Sequence, residues 1–169
     1  MTKHTVSSVF VLKNINGKWK VLLVEHKKLN RWVIPGGHIE PNESPIEAAK
    51  REVLEETSIN QLNFISFLHK IHSDFYDSSW SLPPEYCYIE TIPKSKKEDK
   101  HKHIDFLFIA ISQNTTIKEN TIETTGIKWF SSEELDDIAI FPMTKHFAKQ
   151  IIEKLSNKET PSYGIINQI

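Results

Sequence analysis

Three glutamates, Glu52, Glu55 and Glu56, follow one another at i, i+3 and i+4. On an α-helix this spacing gathers their carboxylates into an arc of about 100° on one face. Like charges so close cost roughly a few tenths of a kcal/mol per pair on an exposed helix. Their place in the C-terminal half of the helix also sets them against its dipole. Segment 40–56 carries six Glu against Lys50 and Arg51, a local charge of −4 in a chain whose net charge is −1. Two readings account for such a cluster. One is a solvated helix face. The other is a site for a hard divalent cation, Mg2+ or Mn2+, which takes carboxylate oxygens and removes their repulsion.

Glycine is scarce, 5 in 169 residues, where average usage of about 7% gives roughly 12. Two of the five, Gly36 and Gly37, stand side by side after Pro35 and just before the acidic helix. Adjacent glycines permit positive φ and close backbone approach, so a carbonyl there can face a cation; alone, the pair reads as a plain turn. Glu43 and Arg51 add a link. Arg51 can reach back over the first helical turn to Glu43 and pin the loop to the helix, or form an exposed ion pair worth little.

The elements that position these residues are legible. Ser44-Pro45-Ile46-Glu47 is a helix start with a capping box and proline at the first position, and the helix runs to about Thr57. Thr5–Leu12 and Trp19–Val24 flank the turn signal Asn14-Ile15-Asn16-Gly17 and predict a hairpin. Further strands are expected at Arg31–Ile34, Asn63–Ile71, Glu85–Ile92, Ile104–Ser112 and Ile127–Phe130. Ser131-Ser132-Glu133-Glu134 has capping-box spacing and predicts a short helix. Residues 142–155 carry Phe147, Ile151 and Leu155 at helical spacing after Pro142 and predict an amphipathic helix. Residues 1–157 read as a single domain and 158–169 as a loose C-terminal tail.

The residues so far combine as Gly37-x5-Glu43-x7-Arg51-Glu52-Val53-x-Glu55-Glu56-x-Ser58-Ile59. This resembles the Nudix box, G-x5-E-x7-R-E-U-x-E-E-x-G-U with U a bulky aliphatic. It matches at every fixed position but the last glycine, which is Ser58, and it covers 23 of 169 residues. The departure falls at the helix exit, where glycine is favoured for the left-handed cap, and removes no metal ligand. The resemblance implies an α/β/α sandwich around a mixed β-sheet. It implies Mg2+- or Mn2+-dependent hydrolysis of the pyrophosphate bond in a nucleoside diphosphate linked to another group. It assigns Glu52 and Glu56, with the Gly37 carbonyl, as metal ligands. Glu55 becomes a ligand or the base that takes a proton from the attacking water. Gly36, Glu43 and Arg51 are structural.

Outside the box, Glu123 precedes Trp129, where several relatives resemble this chain in carrying a Glu that reaches the metals; a solvated loop acid is the alternative. His101, His103 and Asp105 either line the substrate cleft or form a solvated strand start. Loop 94–103 has five Lys against Glu98 and Asp99, able to steer phosphates or simply solvated. Trp32 reads as core, while Phe75, Tyr76 and Trp80 are candidates for stacking on a base. Tyr76, 17 positions after Ile59, is where dinucleoside-polyphosphate members of the family tend to carry a Tyr.

Composition narrows the class. With 38% hydrophobic and 25% charged residues the chain reads as globular. A net charge of −1 gives no basic field for nucleic acid. The single cysteine, Cys87, excludes an internal disulfide and a cysteine zinc cluster, and a reduced, cytoplasmic setting is expected. No apolar run is long enough for a membrane span or a signal peptide. A small-molecule substrate is thus expected, with neither nucleic-acid nor membrane partner; a homodimer is a common assembly for such enzymes. Two alternatives stand beside hydrolysis. One is a non-hydrolytic nucleotide-binding or regulatory module, for which lost carboxylates would be the signature. The other is a prenyl-diphosphate isomerase, which would want a cysteine near the site; Cys87 is expected in the core.

Overall fold

A computed structural model describes residues 1–69, 82–94, 99–113, 116–118 and 124–164. Tyr76 and Glu123, like Phe75 and Trp80, lie outside the described residues. The chain begins with a hairpin of β1 (Lys3–Ile15) and β2 (Lys18–His26), in antiparallel register Ile15↔Lys18. Asn16 and Gly17 form its turn at φ 52° and 82°. That left-handed pair is what an Asn-Gly connection supplies to a two-residue hairpin. The short strands β3 (Arg31–Val33) and β4 (Gly36–His38) follow, then α1 (Pro45–Thr57). Next come β5 (Leu62–Ser66), β6 (Tyr86–Ile92), β7 (His101–Ser112), β8 (Thr124–Phe130), α2 (Pro142–Ser156) and β9 (Ser162–Gly164).

The strands form one mixed sheet in the order β3-β2-β1-β7-β5-β9, with β8 on β2, β4 on β1 and β6 on β7. Its centre is the parallel pair β1–β7, in register from Lys3↔Lys102 to Leu12↔Ile111. Alternation along β1 divides the core in two. Val9 and Val11 pack with Ile46, Ala49 and Val53 of α1. Phe10 and Leu12 pack with Ala148, Ile151, Ile152 and Leu155 of α2. One helix on each face makes an α/β/α sandwich, as the resemblance implies.

Several expectations are corrected. The strand expected over Asn63–Ile71 stops at Ser66. There the Glu85 carboxylate accepts hydrogen bonds from Ser66 Oγ (2.6 Å) and Phe67 N (3.1 Å) and turns the chain away. The helix expected after Ser131 is a single 3-10 turn, Glu134–Asp136, although Ser131 and Glu134 do exchange capping bonds. In the tail expected to be loose, Ser162–Gly164 pairs with β5 in register Phe64↔Gly164. Cys87, expected in the core, is exposed, because it lies on the bare face of β6, which it shares by strand alternation with exposed Ile89. Trp32 does pack against the α2-side core, edge-on to Phe130 at 4.8 Å. Among the described residues, no helix is long and apolar enough to cross a membrane.

Candidate active site

The acidic helix is held in place from its first turn. Ser44 accepts from the Glu47 backbone N–H, and the Glu47 carboxylate accepts from the Ser44 N–H at 2.8 Å, closing the capping box. Ser7 Oγ of β1 donates to the Pro45 carbonyl at 2.7 Å and fixes the helix start to the sheet.

From that anchor, α1 points Glu52 and Glu56 at β4, while Glu55 faces solvent. Glu56 is buried, and its Oε2 accepts from the Gly36 N–H at 3.2 Å. The Glu52 side chain retains 13% exposure, and its carboxylate lies over Gly37: a Cβ there would sit 2.5 Å from Glu52 Cδ. At Gly36 a Cβ would sit 2.6 Å from the Ser7 carbonyl oxygen. Neither glycine takes positive φ. Close approach accounts for both: at Gly36 the neighbour is β1 backbone, which cannot yield, and at Gly37 it is the Glu52 carboxylate, which a side chain would displace.

Arg51 ties the cluster together. Its Nε and Nη2 clasp the two Glu43 oxygens at 2.9 and 3.0 Å, and Nη2 also donates to the His38 carbonyl at 2.9 Å. Nη1 donates to Glu52 at 2.7 Å and to Glu55 at 3.3 Å. One guanidinium thus spans the loop and two of the three clustered carboxylates, which offsets their repulsion. The Arg51 hydrogen bond holds the Glu43 carboxyl below its ordinary value, and Glu43 raises Arg51 in return. Side-chain exposures of 14% for Glu43 and 23% for Arg51 place the pair well beyond an exposed surface bridge.

Ser58, the one departure from the box, ends the helix at φ 60°, ψ 15°, with its N–H bonded to the Leu54 carbonyl. The left-handed cap survives without glycine.

The donor set is wholly oxygen: two inward carboxylates, a third beside them and the backbone of β4. That chemistry fits a hard divalent cation.

The three residues singled out at the start of β7 part company. Asp105 is buried; Ser8 Oγ and Tyr88 Oη donate to its Oδ2 at 3.0 and 2.9 Å. Its Oδ1 is buried with no hydrogen-bond partner. Burial raises its carboxyl above the ordinary range, against the lowering effect of the two hydroxyls. His101 is buried too, so a solvated strand start is excluded. His101 and His103 meet His4 of β1, with ring centroids 4.7 and 6.1 Å from it. These groups share the sheet face opposite α1, as Phe10 and Leu12 do. His4 and His38 are absent from the sequence reading. The one signal for this face was the His101-x-His103 alternation; the rest depends on the β1–β7 pairing.

A carboxylate-bearing helix is thus clamped by an arginine to a glycine strand on a mixed sheet. The family model for the NUDIX domain matches residues 3–155. The chain belongs to the Nudix hydrolase family. An RNA pyrophosphohydrolase from Bartonella clarridgeiae is 27% identical over 155 residues, 85% of each chain. A relative from Bacillus subtilis is 48% identical over 46 residues, and there the chain spans 31% of that relative's length. Among solved structures, a NUDIX-family hydrolase from Clostridium perfringens superposes with TM-score 0.71 at 26% identity, covering 92% of this chain and 99% of that one. A C. elegans Ap4A hydrolase superposes with TM-score 0.61 at 19% identity, over 91% and 98%; at that identity it bears on the fold alone.

Proposed function

We propose that the chain is a divalent-metal-dependent pyrophosphohydrolase acting on a nucleoside diphosphate linked to another group. The observation that carries this is the placement of Glu52 and Glu56 against β4 with Glu55 beside them. Glu52, Glu56 and the Gly37 carbonyl would hold Mg2+ or Mn2+, which when bound screens the phosphates and activates a water. Glu55, exposed and bridged to Arg51, is a further ligand or the group that accepts a proton from that water. Arg51 and Glu43 position the helix relative to β4. Glu123 and Tyr76 stay in the proposal on the family resemblance, as a catalytic glutamate and a base-stacking residue; His101, His103 and Asp105, on the sheet face opposite α1, are left out of it.

The intact carboxylates count against a purely regulatory nucleotide-binding module. Exposed Cys87 keeps the isomerase reading testable: C87S should leave hydrolysis unchanged. The name of the Bartonella relative, an RNA pyrophosphohydrolase, supports a substrate in which a phosphoanhydride chain meets a nucleoside. The test is a panel of dinucleoside polyphosphates, nucleotide sugars, nucleoside triphosphates and 5′-triphosphorylated RNA, each with Mg2+ and with Mn2+. Metal-dependent release of phosphate products from at least one is expected. No turnover with measurable binding would instead favour the regulatory module.

A further inference from the structure

We propose that His4, His101 and His103 form a second metal site, for a divalent transition ion of the zinc class, on the sheet face opposite the glutamate helix. One ligand atom from each of the three lies within 4.8 Å of the others. The Nε2 atoms of His101 and His103 are 3.1 Å apart. With Zn–N bonds of about 2.0–2.1 Å, two nitrogens on a tetrahedral centre stand roughly 3.3–3.4 Å apart. The pair is therefore already close to an edge of the coordination polyhedron, and His4 has only to close in.

Hydrogen bonding sets the tautomer that coordination needs at His101. His101 Nδ1 is 2.8 Å from the Asp99 carbonyl oxygen. A carbonyl only accepts, so Nδ1 carries the proton and the lone pair of neutral His101 is on Nε2. This is the backbone-oriented imidazole that metal sites use. Without metal, the 3.1 Å contact makes His103 Nε2 the donor. On binding, that proton leaves Nε2, and a neutral ligand His103 carries its proton on Nδ1. Nδ1 faces the Glu90 carboxylate at 3.8 Å, a carboxylate behind the imidazole.

His4 supplies an independent sign. Its Nδ1 is buried with no hydrogen-bond partner, a costly state for an imidazole nitrogen. His38 stands at the rim, its ring 5.4 Å from His4 and 5.2 Å from His103. Beside it an open cleft of about 420 Å³ is lined by Lys3, His4, Thr5, His38 and Ile39. A fourth ligand can come from His38 or from water in that cleft. Imidazole donors select zinc-class ions, whereas the all-oxygen set on α1 selects Mg2+ or Mn2+. The two sites are separated by face and by chemistry, and an ion here would join β1 to β7.

The test uses untagged, chelator-treated full-length chain in excess Mg2+, which occupies the carboxylate site. ZnCl2 is titrated by calorimetry, Co2+ by visible absorption, and thermal midpoints are recorded with each. One equivalent of Zn2+ is expected to bind and raise the midpoint, with an imidazole-bound Co2+ spectrum. E90Q should weaken binding about 10- to 100-fold, and H4Q or H103Q by at least as much. E56Q should leave binding unchanged. H4Q lies near the end of a strand and keeps the test valid if the buried H101Q variant does not fold. Zn2+ affinity unchanged in folded H4Q and H103Q, lost in E56Q, or absent from the parent chain would overturn the proposal.

Discussion

The Glu52 carboxylate occupies the space that a side chain at position 37 would need: a Cβ on Gly37 would lie 2.5 Å from Glu52 Cδ. The glycine of the box therefore leaves the space taken by the glutamate that the box places fifteen residues later. Gly37→Ala must push Glu52 off β4. The expected cost is small in stability, because the displaced carboxylate is the end of a flexible side chain, and roughly 100-fold in kcat/KM, since a displacement near 1 Å suffices for that. Thermal denaturation and steady-state kinetics read the two effects. A variant with parental kinetics would show that the contact does not position Glu52.

Arg51 and Glu43 set an acid limit. Glu43 is held below its ordinary value of 4.5 by the Arg51 hydrogen bond. A lowered carboxyl contributes stability that is complete above 4.5 and is lost as pH falls through its lower folded value. Glu43→Gln should remove about 1–3 kcal/mol at pH 7, with the gap to the parent shrinking below about pH 4. Denaturant titrations at pH 7 and pH 3 measure the difference. Arg51→Lys should also destabilise, because an ammonium cannot replace the fork that clasps Glu43.

Asp105 has the opposite sign. Burial raises its carboxyl above the ordinary 3.8. A raised group favours the folded state most below 3.8, and that advantage is lost as pH rises through the higher folded value. Asp105→Asn keeps the shape and acceptor for Ser8 and Tyr88 without a charge to bury. Relative to the parent it should gain stability from pH 4 to pH 8, in thermal midpoints across that range. A constant difference would mean that Asp105 carries no raised titration.

Ser58 is a correctable strain. It holds φ 60°, which costs a non-glycine residue roughly 1–2 kcal/mol. Ser58→Gly should stabilise by about 1 kcal/mol and raise the thermal midpoint by roughly 2–4 °C, with kinetics unchanged. No gain would mean that serine's side chain offsets the strain.

The legible part of this protein was the part encoded locally. The capping box at Ser44 and Glu47, the Asn16-Gly17 hairpin and the i, i+3, i+4 carboxylates each depend on spacing within a few residues, and all three appear as read. Long-range strand pairing was not legible. The meeting of His4 with His101 and His103 follows from the parallel β1–β7 register, in which His4 stands beside His103 across about a hundred positions. The burial of Asp105 needs Ser8 and Tyr88 from two further strands. Cys87 failed for a related reason: an apolar, alternating strand looks the same whether its second face is covered or bare. The glycine pair serves close approach, and neither glycine takes the positive φ that adjacent glycines also permit.

The central claim is that the carboxylates facing β4 hold the ion required for turnover. Glu56→Gln tests it most directly, because glutamine can still accept the Gly36 N–H and should leave the fold intact. On the best substrate of the panel, turnover with Mg2+ should fall at least about 100-fold while the circular dichroism spectrum and the thermal midpoint of the metal-free protein stay close to those of the parent. Parental turnover in folded Glu56→Gln would contradict the account.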